Sequence, residues 1–203
     1  MAIHIYQNDL PRGLALGDSV AIDTETMGLN PHRDRLCLVQ LSSGDGVAHL
    51  VKIANPARPC PNLGALLADA SITKLFHFAR FDMASLTRSI GPVNGPIYCT
   101  KIASKLVRTY TDRHGLKELC RELLNIDISK EQQSSDWGDT KLTEDQAKYA
   151  ADDVLHLHQI RKQLDHMLAR EGRSDAAKQC FAFLQTRVKL DLDGFTEMDI
   201  FHH

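Results

Sequence analysis

Short apolar runs fill the first half of the chain, and helical stripes fill the second. Three β-like segments come first, at residues 20–24 (Val20-Ala21-Ile22-Asp23-Thr24), 36–42 and 48–53. Gly, Asn, Pro and Asp separate them at turn-like positions, which predicts an antiparallel meander. A Pro/Asn stretch at 55–62 leads to a short helix over 63–68, and 74–78 (Lys74-Leu75-Phe76-His77-Phe78) reads as a buried strand. Beyond it the spacing predicts helices over 82–90, 101–109, 116–124 and one long helix from 143 to about 170. In that long segment Ala147, Ala150, Val154, Leu157, Leu164 and Leu168 recur at three- and four-residue steps and form one apolar stripe. Thr143 with Gln146 fits a capping box at its start, and Gly172 fits a helix stop.

Strands first and helices afterwards, with one strand–helix alternation between, predict an α/β fold: a mixed sheet flanked by helices. A length of 203 residues accommodates one large domain with an appendage. We read residues 1–172 as that domain and 173–203 as a helical C-terminal extension. The extension carries apolar residues expected to be exposed (Phe181, Phe183, Phe195, Ile200, Phe201), which suit contact with other subunits.

Composition narrows the class. The start of the chain has no apolar h-region, and no apolar run approaches the ~20 residues needed to span a bilayer. A cytoplasmic protein without a membrane partner is expected. The five cysteines are dispersed, without a C-x-x-C pair, which argues against both a disulfide framework and a structural zinc site. His156 and His158 lie two apart on a predicted helix and do not share a face. The formal net charge is −2, so the chain lacks the basic surplus usual in proteins that grip long nucleic acid. A nucleic-acid ligand therefore needs a local patch or has to be very short.

The candidate chemistry lies in acids. Asp23 and Glu25 are two apart on a predicted strand and project to one face. Two acids at the end of an otherwise buried strand are costly without a compensating cation; alternatively they mark a solvated strand end. Asp82 opens the helix after the 74–78 strand, where an N-cap role is the plain alternative. Tyr149 and Asp153, four apart on the long helix, share a face at the edge of its apolar stripe. Asp152 is rotated away and reads as mainly solvent-facing.

The ordered set of Asp23-Thr24-Glu25-Thr26-Met27-Gly28-Leu29, His77-Phe78-Ala79-Arg80-Phe81-Asp82, Ser134-Ser135-Asp136-Trp137 and Tyr149-Ala150-Ala151-Asp152-Asp153 resembles the tyrosine branch of the DEDD-superfamily 3′–5′ exonucleases. It is similar to the ribonuclease D-like members, and more so to the short single-domain group called nano-ribonuclease C. The resemblance spans residues 18–185. It implies a ribonuclease H-like fold and hydrolysis of RNA from its 3′ end to 5′-mononucleotides. It also implies two divalent cations, Mg²⁺ or Mn²⁺, held by Asp23, Glu25, Asp82 and Asp153. Asp23 is then the bridging ligand, Glu25 and Asp153 hold the nucleophile-side ion, and Asp82 acts mostly through water. Tyr149 hydrogen-bonds the attacking water; a phenol with an ordinary pKa near 10 is a poor base.

By the same resemblance Leu29 is an apolar wedge between bases, although a turn anchor fits it nearly as well. His77 stands beside the 3′ sugar, with a satisfied core histidine as the alternative, and Ser135 and Trp137 border the active site. Arg113 and His114, in a polar loop entering a helix, suit a phosphate. Lys101, Lys105 and Arg108 read as a solvated face. The chain is too short for the extra helical nucleic-acid-binding domains of full-length ribonuclease D. With its near-neutral charge, this points to short single-stranded RNA as substrate, dinucleotides above all. The alternatives are a broader exonuclease trimming RNA or DNA ends, and a catalytically dead binding module. The resemblance also implies a homo-oligomer, ring-like in arrangement.

Overall fold

The computed structural model describes residues 2–129, 131–198 and 200–202. Six strands form one sheet in the order β1-β4-β3-β2-β5-β6. They are β1 (Ala2–Gln7), β2 (Ser19–Thr26), β3 (Leu36–Ser42), β4 (Val47–Lys52), β5 (Thr73–Phe76) and β6 (Ile97–Cys99). β3 is antiparallel to β2 and β4, as the meander predicts, while β5 is parallel to β2 and β6. The sheet is therefore mixed. β3 lies centrally and is buried along its whole length, the usual fate of a continuous apolar run covered on both faces.

The helices are α1 (Pro61–Ala68), α2 (Ala79–Ser89), α3 (Thr100–Val107), α4 (Leu116–Leu119), which continues as a π-helical turn over Cys120–Leu124, α5 (Glu144–Leu155), α6 (Leu157–Arg170) and α7 (Ser174–Leu192). α5 crosses β1 to β4, while α2 leans on β2, β3, β5 and β6. No described helix is long and apolar enough to cross a membrane.

Four expectations change. β1 and β6 were not predicted: β1 is a largely exposed edge strand, and three residues of β6 are too few to show a period. The long helix is two, broken at His156 (φ −100°, ψ −8°). Its single apolar stripe serves different partners, since α5 packs on the sheet and α6 on α3. The capping box of Thr143 and Gln146 is present, and Gly172 turns the end of α6 at φ +67°. In the extension, Phe181 is buried against Tyr98, with ring centroids 4.7 Å apart, while Phe195, Ile200 and Phe201 are exposed. α7 packs on α2, α3 and β6; Asp199 and His203 of the extension lie outside the described residues. Arg108 does not belong to a solvated face. It is fully buried and bound by Ser104 Oγ, the Arg113 carbonyl and the Glu122 carboxylate.

Candidate active site

The pleat of β2 sorts its last residues to two sides. Asp23 and Glu25 face α5, and a register irregularity follows between Glu25 and Thr26, where a bulge re-aims side chains. Thr24, between the two acids, is buried and donates its hydroxyl to Asp82 Oδ1 at 2.7 Å. Asp82 sits in the first turn of α2, where the helix dipole favours an anion. Asp153 lies in the last turn of α5, and Tyr149 precedes it by one turn, its hydroxyl beside the Asp153 carboxyl.

Carboxylate oxygens of Asp23, Glu25 and Asp153 come within 4.8 Å of one another. Among the described residues none of these three, nor Asp82, forms an ion pair. A neutral amide, Gln40 Nε2, reaches Asp23 Oδ2 at 3.3 Å. Without a cation, burial and mutual repulsion favour the protonated forms of the acids. Burial first, then Asp82, Asp153 and Glu25, push Asp23 well above its ordinary value. Burial with Asp153 and Asp82 lifts Glu25 to about 9. Burial carries Asp82 to about 7, and burial with Asp152 and Asp82 carries Asp153 to about 7. Burial, followed by the negative charges of Asp153, Glu25 and Asp23, also raises Tyr149. Asp152 is half-buried and not mainly solvent-facing; burial raises its pKa as well. A cluster of oxygen donors without sulfur or imidazole fits a hard divalent cation of the Mg²⁺ type.

A cavity of about 660 Å³ opens over these residues, lined by all five. Leu29, His77, Ser135 and Trp137 line it too. Leu29 is 84% exposed at the rim. His77 lies just beyond β5 and pairs through Nδ1 with Thr100 Oγ1 at 2.9 Å. Trp137 is buried, its ring 6.0 Å from that of Tyr149. Arg113 and His114 do not line the cavity. The Arg113 side chain is exposed, and His114 bonds Ser104 Oγ at 2.9 Å. Their loop instead delivers Gly115, Leu116 and Lys117. Lys101 joins them at the cavity wall, its ammonium 4.2 Å from the centre of the Phe78 ring. Lys117 was missed, although its place at the start of a helix after a polar loop was a usable signal. Nothing in the sequence singled out Thr24.

Sheet and site together define a ribonuclease H-like fold with a carboxylate cluster at the end of a central strand. A family model for the 3′–5′ exonuclease domain matches residues 7–169. Ribonuclease D of Gluconacetobacter diazotrophicus is 36% identical over 156 residues, covering 77% of this chain and 39% of that protein. The chain thus spans about two fifths of the length of the curated relatives it matches. Brucella melitensis NrnC with bound Mg²⁺ superposes over 100% of both chains, with TM-score 0.95 and 55% identity. Escherichia coli RNase D superposes on 84% of this chain and 45% of its own, with TM-score 0.75 and 27% identity. The chain belongs to the 3′–5′ exonuclease family, and within it to the ribonuclease D and NrnC type. Enzymes of this family use divalent metal, which the acid cluster fits.

Proposed function

We propose that this exonuclease degrades very short RNA, dinucleotides foremost, releasing 5′-mononucleotides from the 3′ end. The observation that carries the reading is a likeness of 56% identity to Brucella melitensis NrnC bound to pGG, covering 100% of this chain and 99% of that one, with TM-score 0.96. A net charge of −2 supports it, since a long strand would call for more cations along its path.

Asp23, Glu25 and Asp153 would hold the divalent cations, two Mg²⁺ or Mn²⁺, with Asp82 kept nearby by Thr24. When bound, such ions lower the pKa of the attacking water and neutralise charge on the entering and leaving oxygens. Tyr149 orients that water through its phenol oxygen and, its pKa raised above the ordinary phenol value by burial and the neighbouring acids, is not its base. Lys101 and Lys117 face the phosphate, a role expected earlier of Arg113 and His114. Leu29 contacts a base at the rim and His77 the terminal sugar, while Ser135 and Trp137 border the same cavity. Phe195, Ile200 and Phe201 are suited to contact between copies in a ring-like homo-oligomer.

The test is turnover of 5′-labelled RNAs and DNAs, from two to about ten nucleotides, in Mg²⁺. Dinucleotide RNA should be fastest, with rates falling steeply with length. Flat or rising rates select a broader exonuclease. Sedimentation should give a species several protomers in mass; a monomer at micromolar concentration removes the assembly.

A further inference from the structure

Residues 135–138 have no regular secondary structure, yet three consecutive carbonyls of this loop are each held by a side chain from a different element. The Asp136 carbonyl accepts from Gln146 Nε2 of α5 at 3.2 Å. The Trp137 carbonyl accepts from the ammonium of Lys52, the last residue of β4. The Gly138 carbonyl accepts from Arg35 Nη2, just before β3, at 2.9 Å. Gln146 Nε2 also bonds Ser135 Oγ at 3.0 Å. The main-chain carbonyl of Arg35 in turn receives the N–H of Met27, two residues beyond Glu25, at 3.0 Å. Gly138 presses against the same side chains: a Cβ there would lie 2.6 Å from Met27 Sδ.

Lys52 is the unexpected member. It is 1% exposed, and among the described residues it has no ion pair. A methionine would fill the same space without the several kcal/mol that desolvating an ammonium costs. The carbonyl of Trp137 offsets that cost, so the charge has a directional use. Strand register puts it at the catalytic end of the sheet, because Lys52 pairs with Leu38 and Leu38 with Glu25. The loop also carries a liability of its own. Trp137 Nε1 is buried and has no hydrogen-bond partner among the described residues, an arrangement a free loop would not adopt. External tethers hold the indole there, against Tyr149.

We propose that Lys52, assisted by Arg35 and Gln146, is a positioning residue for catalysis: its ammonium fixes the Trp137 carbonyl, and the indole so placed holds Tyr149 over the acid cluster. This rests on the reading of Tyr149 as the group that orients the attacking water.

Trp137 is the sole tryptophan, so its emission reports the loop directly. Lys52→Met should shift that emission to the red and raise acrylamide quenching. In Mg²⁺ it should lower kcat on a dinucleotide RNA by about 10–100-fold, the usual effect of losing an outer supporting partner, with little change in KM. Lys52→Arg should restore both signals. If Lys52→Met does not fold, Arg35→Gln, which removes a half-buried tether, should give the same changes at smaller size. Lys74→Met is the control. Lys74 is equally buried, at the opposite end of the sheet, and binds the carbonyls of Asp69 and Asn94. Its loss should lower the melting temperature without moving emission or kcat. Unchanged emission in both Lys52→Met and Arg35→Gln overturns the proposal. So does a red shift with wild-type kcat, or a Lys74→Met variant that behaves like Lys52→Met. Tyr149→Phe in the same assay separates the two readings. If it turns over normally, the role of Tyr149 fails, whereas the tethering of Trp137 is still judged by its emission.

Discussion

Asp191 and Asp82 are buried almost equally, at 4% and 3% exposure, and both meet the first turn of α2, yet they are compensated in opposite ways. Asp191, in the last turn of α7, receives the guanidiniums of Arg80 at 2.6 and 2.8 Å and of Arg187 at 2.7 Å. Against the desolvation of its site, those two cations draw its pKa below the ordinary carboxylate value. Asp82, two residues after Arg80, receives the neutral hydroxyl of Thr24 and neutral backbone N–H groups but no cation among the described residues, and its pKa is pushed up by burial. The first arrangement is electrostatically complete within the chain. The second, with Asp23, Glu25 and Asp153 beside it, is short of positive charge. A fold that neutralises one buried acid with two arginines leaves Asp82 and the three part-buried acids beside it without a cationic partner among the described residues, and that difference separates a structural ion pair from a candidate metal centre.

The largest test removes one uncompensated acid. Asp153→Asn should cost turnover on the order of 10⁴-fold, at the upper end for a positioned catalytic group, and Tyr149→Phe ~10²–10⁴-fold with Mg²⁺ binding retained. Saturating kinetics on a short RNA measure both; near-normal turnover in either variant removes that residue from the mechanism. The same Asp153→Asn change should raise the melting temperature of the metal-free protein at pH 8, because it deletes a charge with no cationic partner among the described residues. Asp191→Asn should do the reverse. It breaks a buried pair, costing about 3–5 kcal/mol in urea unfolding, while turnover per folded molecule stays near wild type. A folded but inactive Asp191→Asn would mean that the two groups are coupled through α2.

Titration should part the two sites by sign. A carboxyl whose folded pKa is raised binds more protons folded than unfolded, so stability falls as pH rises from about 4, its unfolded value, through the folded one. For Asp82 and Asp153 the fall should run to about pH 7, and for Glu25 to about pH 9. Asp191, depressed in the fold, contributes stability above its unfolded pKa and loses it as pH drops through the folded value. Metal-free melting temperatures should therefore decline between pH 5 and 9, and Mg²⁺ should restore them most at the alkaline end. A metal-free profile that is flat over this range would contradict the shortage of positive charge. The smallest effect is expected at the rim. Leu29→Ala should raise KM about fivefold, on the order of 1 kcal/mol, with kcat unchanged; an unaltered KM would make Leu29 a bystander.

Much of this contrast was legible before any fold was known, but unevenly. Asp23, Glu25, Tyr149 and Asp153 were readable because strand and helix periods fix which neighbours share a face, and periods are local. Asp82 was readable only as part of an ordered set. Arg108 misled because a cation at helical spacing looks solvated until its partner, Glu122, arrives from another element. Arg113 and His114 misled for a related reason: composition marked the loop, but the direction of each side chain depends on how Arg108 pins it. The unbroken stripe through His156 hid a change of packing partner that no period records.

The chain by itself determined the class of chemistry, since four acids and a tyrosine in that order already carried the resemblance to an exonuclease, and the apolar periods already built the sheet and helices that hold them. Only the tertiary structure decided which acids go uncompensated, which cations reach the cavity, and that Lys52, Arg35 and Gln146 converge on one loop. Those are properties of contacts between residues far apart in sequence. The energy of a buried charge is set by what lies within a few ångströms of it, and only the folded chain fixes that neighbourhood.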